Sequence, residues 1–234
     1  EMDNWFINNG VLGVRQIPAM INWLREAELL EIKEKKTTNL AQILKQEFYK
    51  EPLLVWQIVW INLYFNSTIV KWYVEDVKNN ISYTKPELHA MLKEAFPSFS
   101  DGTLGNPLDA IINTFNESPL GSRLELGVTE RKGNATKSVT KVGGDFISPI
   151  AICYFLYKLS ETKGIYEWTV SDFYEKGETG PFQLFGVSVD YFLNCLRALQ
   201  EYGVIKADLL GGLDNIHINE DSNSLEVLKL LMQR

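Results

Sequence analysis

Four side chains near the start of the chain, Arg15, Gln16, Asn22 and Arg25, carry donors that phosphates and nucleobase edges accept. Soon after them, Lys33, Lys35 and Lys36 stand in a short charged turn, Lys33-Glu34-Lys35-Lys36, of the kind that touches a phosphate backbone. A second basic strip carries Arg131, Lys132, Lys137 and Lys141, with no acid from 131 to 141. Together these residues form the expected polyanion-binding set. Glu26, Glu28, Glu31 and Glu34 dilute the first part of it.

Signals for bond-making chemistry are poor. The chain has no Walker loop, no GxGxxG and no GxSxG. Glu31-Ile32-Lys33 matches the Glu-x-Lys half of a metal nuclease site, but no Pro-Asp precedes it. His89 and His217 lie far apart without metal-ligand neighbours and read as surface or hydrogen-bonded histidines. Trp56, Trp60 and Trp72 have the chemistry of a base-stacking platform, yet they sit on apolar helices and are expected in the core. Cys153 and Cys195 fall in apolar stretches with no CxxC pair, as expected of reduced core thiols in a cytoplasmic protein. No catalytic residue, metal site or cofactor is expected.

The elements that must position these residues read as mainly helical. Val14, Ile17, Ile21, Leu24 and Ala27 form one apolar stripe at helical spacing, and Arg15, Gln16, Asn22 and Arg25 fall off it. Helix, short strand at Leu29 to Ile32 and charged loop give the order of a winged helix-turn-helix. Helices are expected over about 39–48 and 53–65, after Ser67, after Thr84 in the capping box Thr84-Lys85-Pro86-Glu87, and from Thr103. Between Gly121 and Gly144 the alternation of Leu124 to Arg131 and Ser138 to Val142 predicts a β-hairpin or loop. Pro149 opens an apolar helix, and Ser188 caps another that Gly203 ends. The hairpin around Gly211-Gly212 makes a second helix-plus-wing pattern, and a last helix runs from Ser224 to Met232.

Length and charge bound the function. The 234 residues can bury a sizeable core, and the run from Leu53 to Phe65 is shorter than the roughly 20 residues that span a bilayer. No membrane partner is expected. The chain begins at Glu1 without an initiator methionine, so an N-terminal piece is expected to precede it. Residues 1–159 hold 17 Lys/Arg against 18 Asp/Glu, whereas residues 160–226 hold 4 against 12. A polyanion should therefore meet the first two-thirds, and the acidic last third should face protein.

The order of motifs also resembles a known family. Leu12-Gly13-Val14 leads into a helix with Ile21, Trp23 and Leu24; the Trp56/Trp60 helix, Thr68 to Trp72-Tyr73 and Thr84 to Leu88 follow. Thr103-Leu104, Ser118-Pro119-Leu120 before Leu124 to Gly127, and Ser148-Pro149 before Tyr154 complete the match. This resembles an uncharacterised bacterial family encoded beside phosphoadenosine-phosphosulfate-reductase-like proteins, in loci linked to DNA sulfur modification (phosphorothioation) and phage defence. Family members usually have a Gly-Lys-Asn-like turn where this chain has Arg15-Gln16-Ile17. The resemblance implies a helper that acts on DNA or on a partner enzyme, and supplies no catalytic residue.

The expected architecture is mainly α, a helical bundle with two winged-helix-like units and short β-hairpins. Its parts are a winged-helix-like unit over 1–50, a helical bundle over 51–120, a basic hairpin or loop over 121–145, and a second winged-helix-like unit with the C-terminal helix over 146–234. The expected function is a DNA-associated accessory protein that binds through the N-terminal winged helix. The alternatives are a scaffold that recruits a phosphoadenosine-phosphosulfate-reductase-like enzyme, and a DNA-nicking enzyme.

Overall fold

Prolines and small polar residues mark most helix starts in this sequence, and the observed helices begin where those residues stand. The computed structural model of the chain describes residues 16–34, 36–133, 135–209 and 214–233. It opens with α1 (Gln16–Glu26), a charged loop closed by one antiparallel bridge between Leu30 and Thr37, and α2 (Asn39–Glu47). Next come α3 (Pro52–Asn66) and α4 (Thr68–Asp76), bent from each other by 98°. The order continues with β1 (Ser82–Thr84), α5 (Lys85–Ala95), α6 (Asp101–Glu117), α7 (Pro119–Ser122), β2 (Val128–Lys132) and β3 (Ala135–Thr140). The remainder is α8 (Pro149–Lys163), β4 (Glu167–Thr169), α9 (Val170–Tyr174), α10 (Pro181–Phe185), α11 (Val189–Glu201), β5 (Ile205–Asp208), β6 (Asn215–Ile218) and α12 (Ser224–Met232). The fold is mainly α with short antiparallel hairpins, as the sequence predicts.

The caps explain the boundaries. Thr38 accepts from the Ala41 N–H at the start of α2. At α5 the capping box is complete, with Thr84 bonded to the Glu87 backbone and Glu87 to that of Thr84. Ser100, rather than Thr103, caps α6, so that helix begins two residues earlier than Thr103 indicates. Gly203 follows α11 at φ 71°, which a residue with a side chain adopts only at a cost.

One topology occurs twice. Each sheet has three strands, in the orders β1-β3-β2 and β4-β6-β5, with every pairing antiparallel. Each is preceded by a helix, α4 or α8, and each encloses helices between its first and second strands. Both hairpins lie where the alternation predicts them. The third strands, β1 and β4, are three residues each and escape a reading based on alternation. The repeated unit therefore spans 68–140 and then 149–218, so the first copy lies outside the 1–50 segment. Residues 1–15 of that segment lie outside the described residues. Its described part holds no named strand, only the Leu30–Thr37 bridge.

Among the described residues, the larger of two apolar clusters runs from Ala27 to Leu231 and joins both units, and Ile17, Ile21 and Leu30 form a smaller one. Helix α3 is apolar all round because it lies inside the larger cluster: Ile58, Trp60 and Ile61 are fully buried. Each large side chain buried in this way contributes about 1.5–3 kcal/mol relative to exposure. Trp60 and Trp72 are core residues, not a stacking platform; the Trp60 Nε1–H donates to the Leu184 carbonyl at 3.1 Å. The units meet where backbones almost touch. Gly144 N–H donates to the Phe185 carbonyl at 2.9 Å, and a Cβ on Gly143 (φ 68°) would stand 1.9 Å from that same oxygen. Among the described residues, no single helix is long and apolar enough to cross a membrane.

Candidate nucleic-acid interface

The basic hairpin β2–β3 has a defined shape because its tip and its root are both fixed. Gly133 takes φ 63° at the turn, and the register shifts between Glu130 and Arg131. Such a bulge adds twist and redirects the outer part of a hairpin. Along its length, Asn116 near the end of α6 bonds both strands. Its Oδ1 accepts from Thr129 Oγ1 at 2.7 Å and from Arg131 Nε at 3.3 Å, and its Nδ2 donates to Thr136 Oγ1 at 3.2 Å. The hairpin is thus anchored to α6.

Its charges are partly free. Arg131 is exposed and has no acidic partner among the described residues. Lys137 meets Glu130 at 3.4 Å, but both side chains are 63% exposed, and such a pair is worth little. Lys141 needs a correction. It is buried, and its Nζ donates to the carbonyls of Val74 (2.6 Å) and Val77 (3.1 Å) at the end of α4. Desolvation lowers its pKa to about 7, with the Asp76 charge opposing. A lysine turned inward onto a helix C-terminus is not part of a phosphate-binding strip; it fastens the base of the hairpin to α4. The side chain of Lys132 lies outside the described residues.

The N-terminal set is dispersed. Arg15, Lys35 and the side chain of Gln16 lie outside the described residues. Asn22 is exposed on α1. Arg25, one turn later, is half-buried, and its Nε is enclosed without a hydrogen-bond partner. It lines a cleft of about 700 Å³ with Glu28, Glu31 and Lys158. There Lys158 Nζ holds both Glu28 oxygens at 2.6 Å, while Glu28 takes a left-handed φ of 58°. Lys33 and Lys36 are exposed in the 31–36 loop beside Ile32, itself 80% exposed. Carboxylates outnumber cations around Arg25, so this cleft is a poor phosphate site.

Other chemistry-bearing residues are structural. His89 Nε2 lies 3.2 Å from the Asp101 carbonyl. His217 has acidic neighbours that sequence distance conceals: Glu167 at 3.4 Å and Asp208 at 3.8 Å, brought across the sheet by β4 and β5. Burial pushes the Cys195 thiol up to about 11 and raises that of Cys153 further. Both are buried and free, away from the low-pKa setting a reactive thiol needs.

One set of residues was missed by reading only the apolar face of α6. Asn106 and Asn113 are exposed on that helix, with Asn116 at its end. The signal was a run of asparagines between apolar residues, which a stripe-based reading treats as filler.

Comparison with known proteins adds the fold. No family model matches the chain, and no curated protein matches it. Among solved structures, a magnesium-bound crystal structure of SspB shares the fold with a TM-score of 0.68 and 14% identity, over 99% of this chain and 78% of that one. A second SspB crystal structure gives a TM-score of 0.67 at the same identity and coverage. Among the described residues of this chain, no group of three His, Cys, Asp or Glu side chains stands where it could hold a metal ion.

Proposed function

We propose that this chain is an accessory protein of a DNA sulfur-modification or phage-defence system, and that it holds DNA through the unit spanning 68–140. The observation that carries the DNA reading is the union, in one unit, of an exposed basic hairpin and a helix that exposes Asn106 and Asn113, although Asp101, Asp109 and Glu117 stand on the same helix. Helix, strand, helices and hairpin in that order make a winged-helix module, in which a helix enters a groove and the wing touches the backbone. Arg131 and Lys137 fit the backbone role. Asn106 and Asn113 on α6 can donate to and accept from base edges. The sequence resemblance supports the pathway, as does the fold shared with SspB, a phosphorothioation-system protein. The phosphoadenosine-phosphosulfate-reductase-like partner is part of the same proposal, with the unit spanning 149–218 as the face that docks it. Relative to the sequence-based expectation, the DNA-contacting helix moves from α1 to α6.

Binding of the full chain to a generic duplex tests this. Each phosphate contact adds about 0.9 to the salt slope, so affinity should fall steeply as salt rises. Replacing Arg131→Glu and Lys137→Glu together should lower affinity on the order of tenfold at moderate salt and flatten the slope by about two. Replacing Lys206→Glu on the other hairpin should change neither. Binding that is absent or indifferent to salt would overturn the DNA reading.

A further inference from the structure

Next to α6 lies a cleft of about 480 Å³, bounded by α1, the α3–α4 corner, the end of α5 and the first half of α6. Its walls include Trp23, Phe96, Phe99 and Pro107. Phe99 remains 49% exposed although its ring meets that of Phe96 edge-on at 6.4 Å. Aromatic surface left open beside a cavity of this size is characteristic of a ligand site. The Thr103 hydroxyl in the lining meets that of Ser100 at 2.8 Å, but other polar groups of the cleft are unused. Ser67 is only 3% exposed, occupies the N-cap position of α4, and makes no capping bond with its side chain. An N-cap serine ordinarily bonds the next turn of its helix. Here its hydroxyl has no partner among the described residues, and the same holds for the side chains of Asn22, Asn106 and Glu26, which line the cleft.

The lining selects its occupant. Glu26 is the one charged residue in it among the described residues, so a phosphate or other anion is repelled, and a single carboxylate does not hold a metal ion. A neutral planar ring suits the aromatic walls, and two amides, a hydroxyl and a carboxylate suit a ring edge with both donors and acceptors. We propose that this cleft receives an unstacked nucleobase, one bearing an exocyclic amino group that Glu26 can accept. The inference rests on the DNA reading above. Its placement agrees with that reading: Asn106 in the cleft and Asn116 at the hairpin are ten residues apart on one helix. At about 1.5 Å per residue they are separated by roughly 15 Å, or four to five nucleotide steps. A base leaving the duplex would enter here while the hairpin holds the backbone.

The test compares duplexes that differ by one bulged nucleotide, bound to the full chain and followed by fluorescence anisotropy. A bulged adenine should bind on the order of tenfold more tightly than the fully paired duplex, the scale of one base stacking on aromatic rings. A bulged thymine, which has no exocyclic amine, should gain less. Phe99→Ala and Ser67→Ala should each erase most of that preference while leaving affinity for the paired duplex unchanged, which also shows that the variants fold. Equal binding of bulged and paired DNA by the wild type, or a preference that survives both substitutions, overturns the nucleobase site and leaves the DNA reading standing. Failure to bind any of these duplexes overturns both.

Discussion

The units spanning 68–140 and 149–218 share an order of elements and a pattern of strand pairing, yet they use charge differently. The first hairpin, residues 128–140, carries three cations (Arg131, Lys132, Lys137) against one acid, Glu130. The second, residues 205–218, carries one cation (Lys206) against two acids, Asp208 and Asp214. Some acids of the later region are also occupied at helix starts. Glu161 accepts from the Ser224 N–H and hydroxyl, Asp214 from those of Ser171, and Asp172 and Glu226 complete capping boxes. Four of the twelve acids in 160–226 thus hold helix starts, where carboxylates are favoured by the helix dipole. Asp145 does the same for α11 through Ser188, at 2.7 and 2.6 Å. The lesson is that one topology can present a field outward or consume it internally, and a charge count along the chain does not tell which.

Joining the two units is the first thing to break. Gly143 sits at their seam with a left-handed φ, and its Cβ position is already filled by the Phe185 carbonyl. Gly143→Ala is expected to destabilise the chain by about 2–5 kcal/mol, from strain and overpacking combined. Because one core spans both units, chemical denaturation should show a single transition that moves to lower denaturant. A split into two transitions, one unmoved, would mean that the units are energetically separate. The neighbouring exposed turn is the control: Gly133→Asn also has a positive φ but open space around it, and should change little.

Much of this comparison was legible beforehand, and the remainder fails for physical reasons. Caps such as Thr84 and Ser188 are local bonds, so three or four residues suffice to read them. Both hairpins announce themselves by alternation. The strands β1 and β4 do not, because three residues carry no period and their pairing is decided by distant partners such as Val139 and His217. The winged-helix-like unit expected over 1–50 rested on local order alone, a helix followed by a charged loop, whereas strand pairing is a tertiary fact. Of the proposed site, Arg131 and Lys137 are exposed, as basic residues on a hairpin commonly are. Lys141 was misplaced, since whether a lysine points inward depends on the carbonyls of α4. The cleft was invisible, because Trp23, Ser67, Phe99 and Asn106 come from four parts of the chain.

Lys141 separates the basic hairpin from its counterpart in a second way, through pH. Its amine is buried with its pKa lowered to about 7, chiefly by desolvation, whereas the unfolded chain keeps an ordinary lysine. Between those two values the unfolded state binds the additional proton. Stability therefore rises as pH increases from about 7 toward the normal lysine range. Lys141→Met removes this dependence and leaves the carbonyls of Val74 and Val77 without that partner, at a cost of about 1–3 kcal/mol at pH 9. Midpoints of urea unfolding for both proteins at pH 7 and pH 9 decide it. A wild-type gain no larger than that of the variant would show that the buried amine stays charged.

The smallest effect sharpens the contrast most. If carboxylates of the second unit are structural at helix starts and idle on its outer face, two aspartates on one hairpin should behave differently. Asp214 has its pKa lowered, first by the Ser171 hydroxyl and then by the Ser171 N–H, which it accepts at 2.8 Å. Asp208 lies 66% exposed, with His217 at 3.8 Å. Asp214→Asn should cost about 1 kcal/mol, the scale of a lost cap, and Asp208→Asn close to nothing. Because the folded pKa of Asp214 lies below its unfolded value, its contribution is present above the ordinary carboxylate range and disappears as pH falls through the folded value. The gap between wild type and Asp214→Asn should consequently close in acid. A gap that persists there would assign Asp214 a role in packing rather than charge, and equal costs for the two aspartates would mean that the acidic hairpin resists charge loss as a whole.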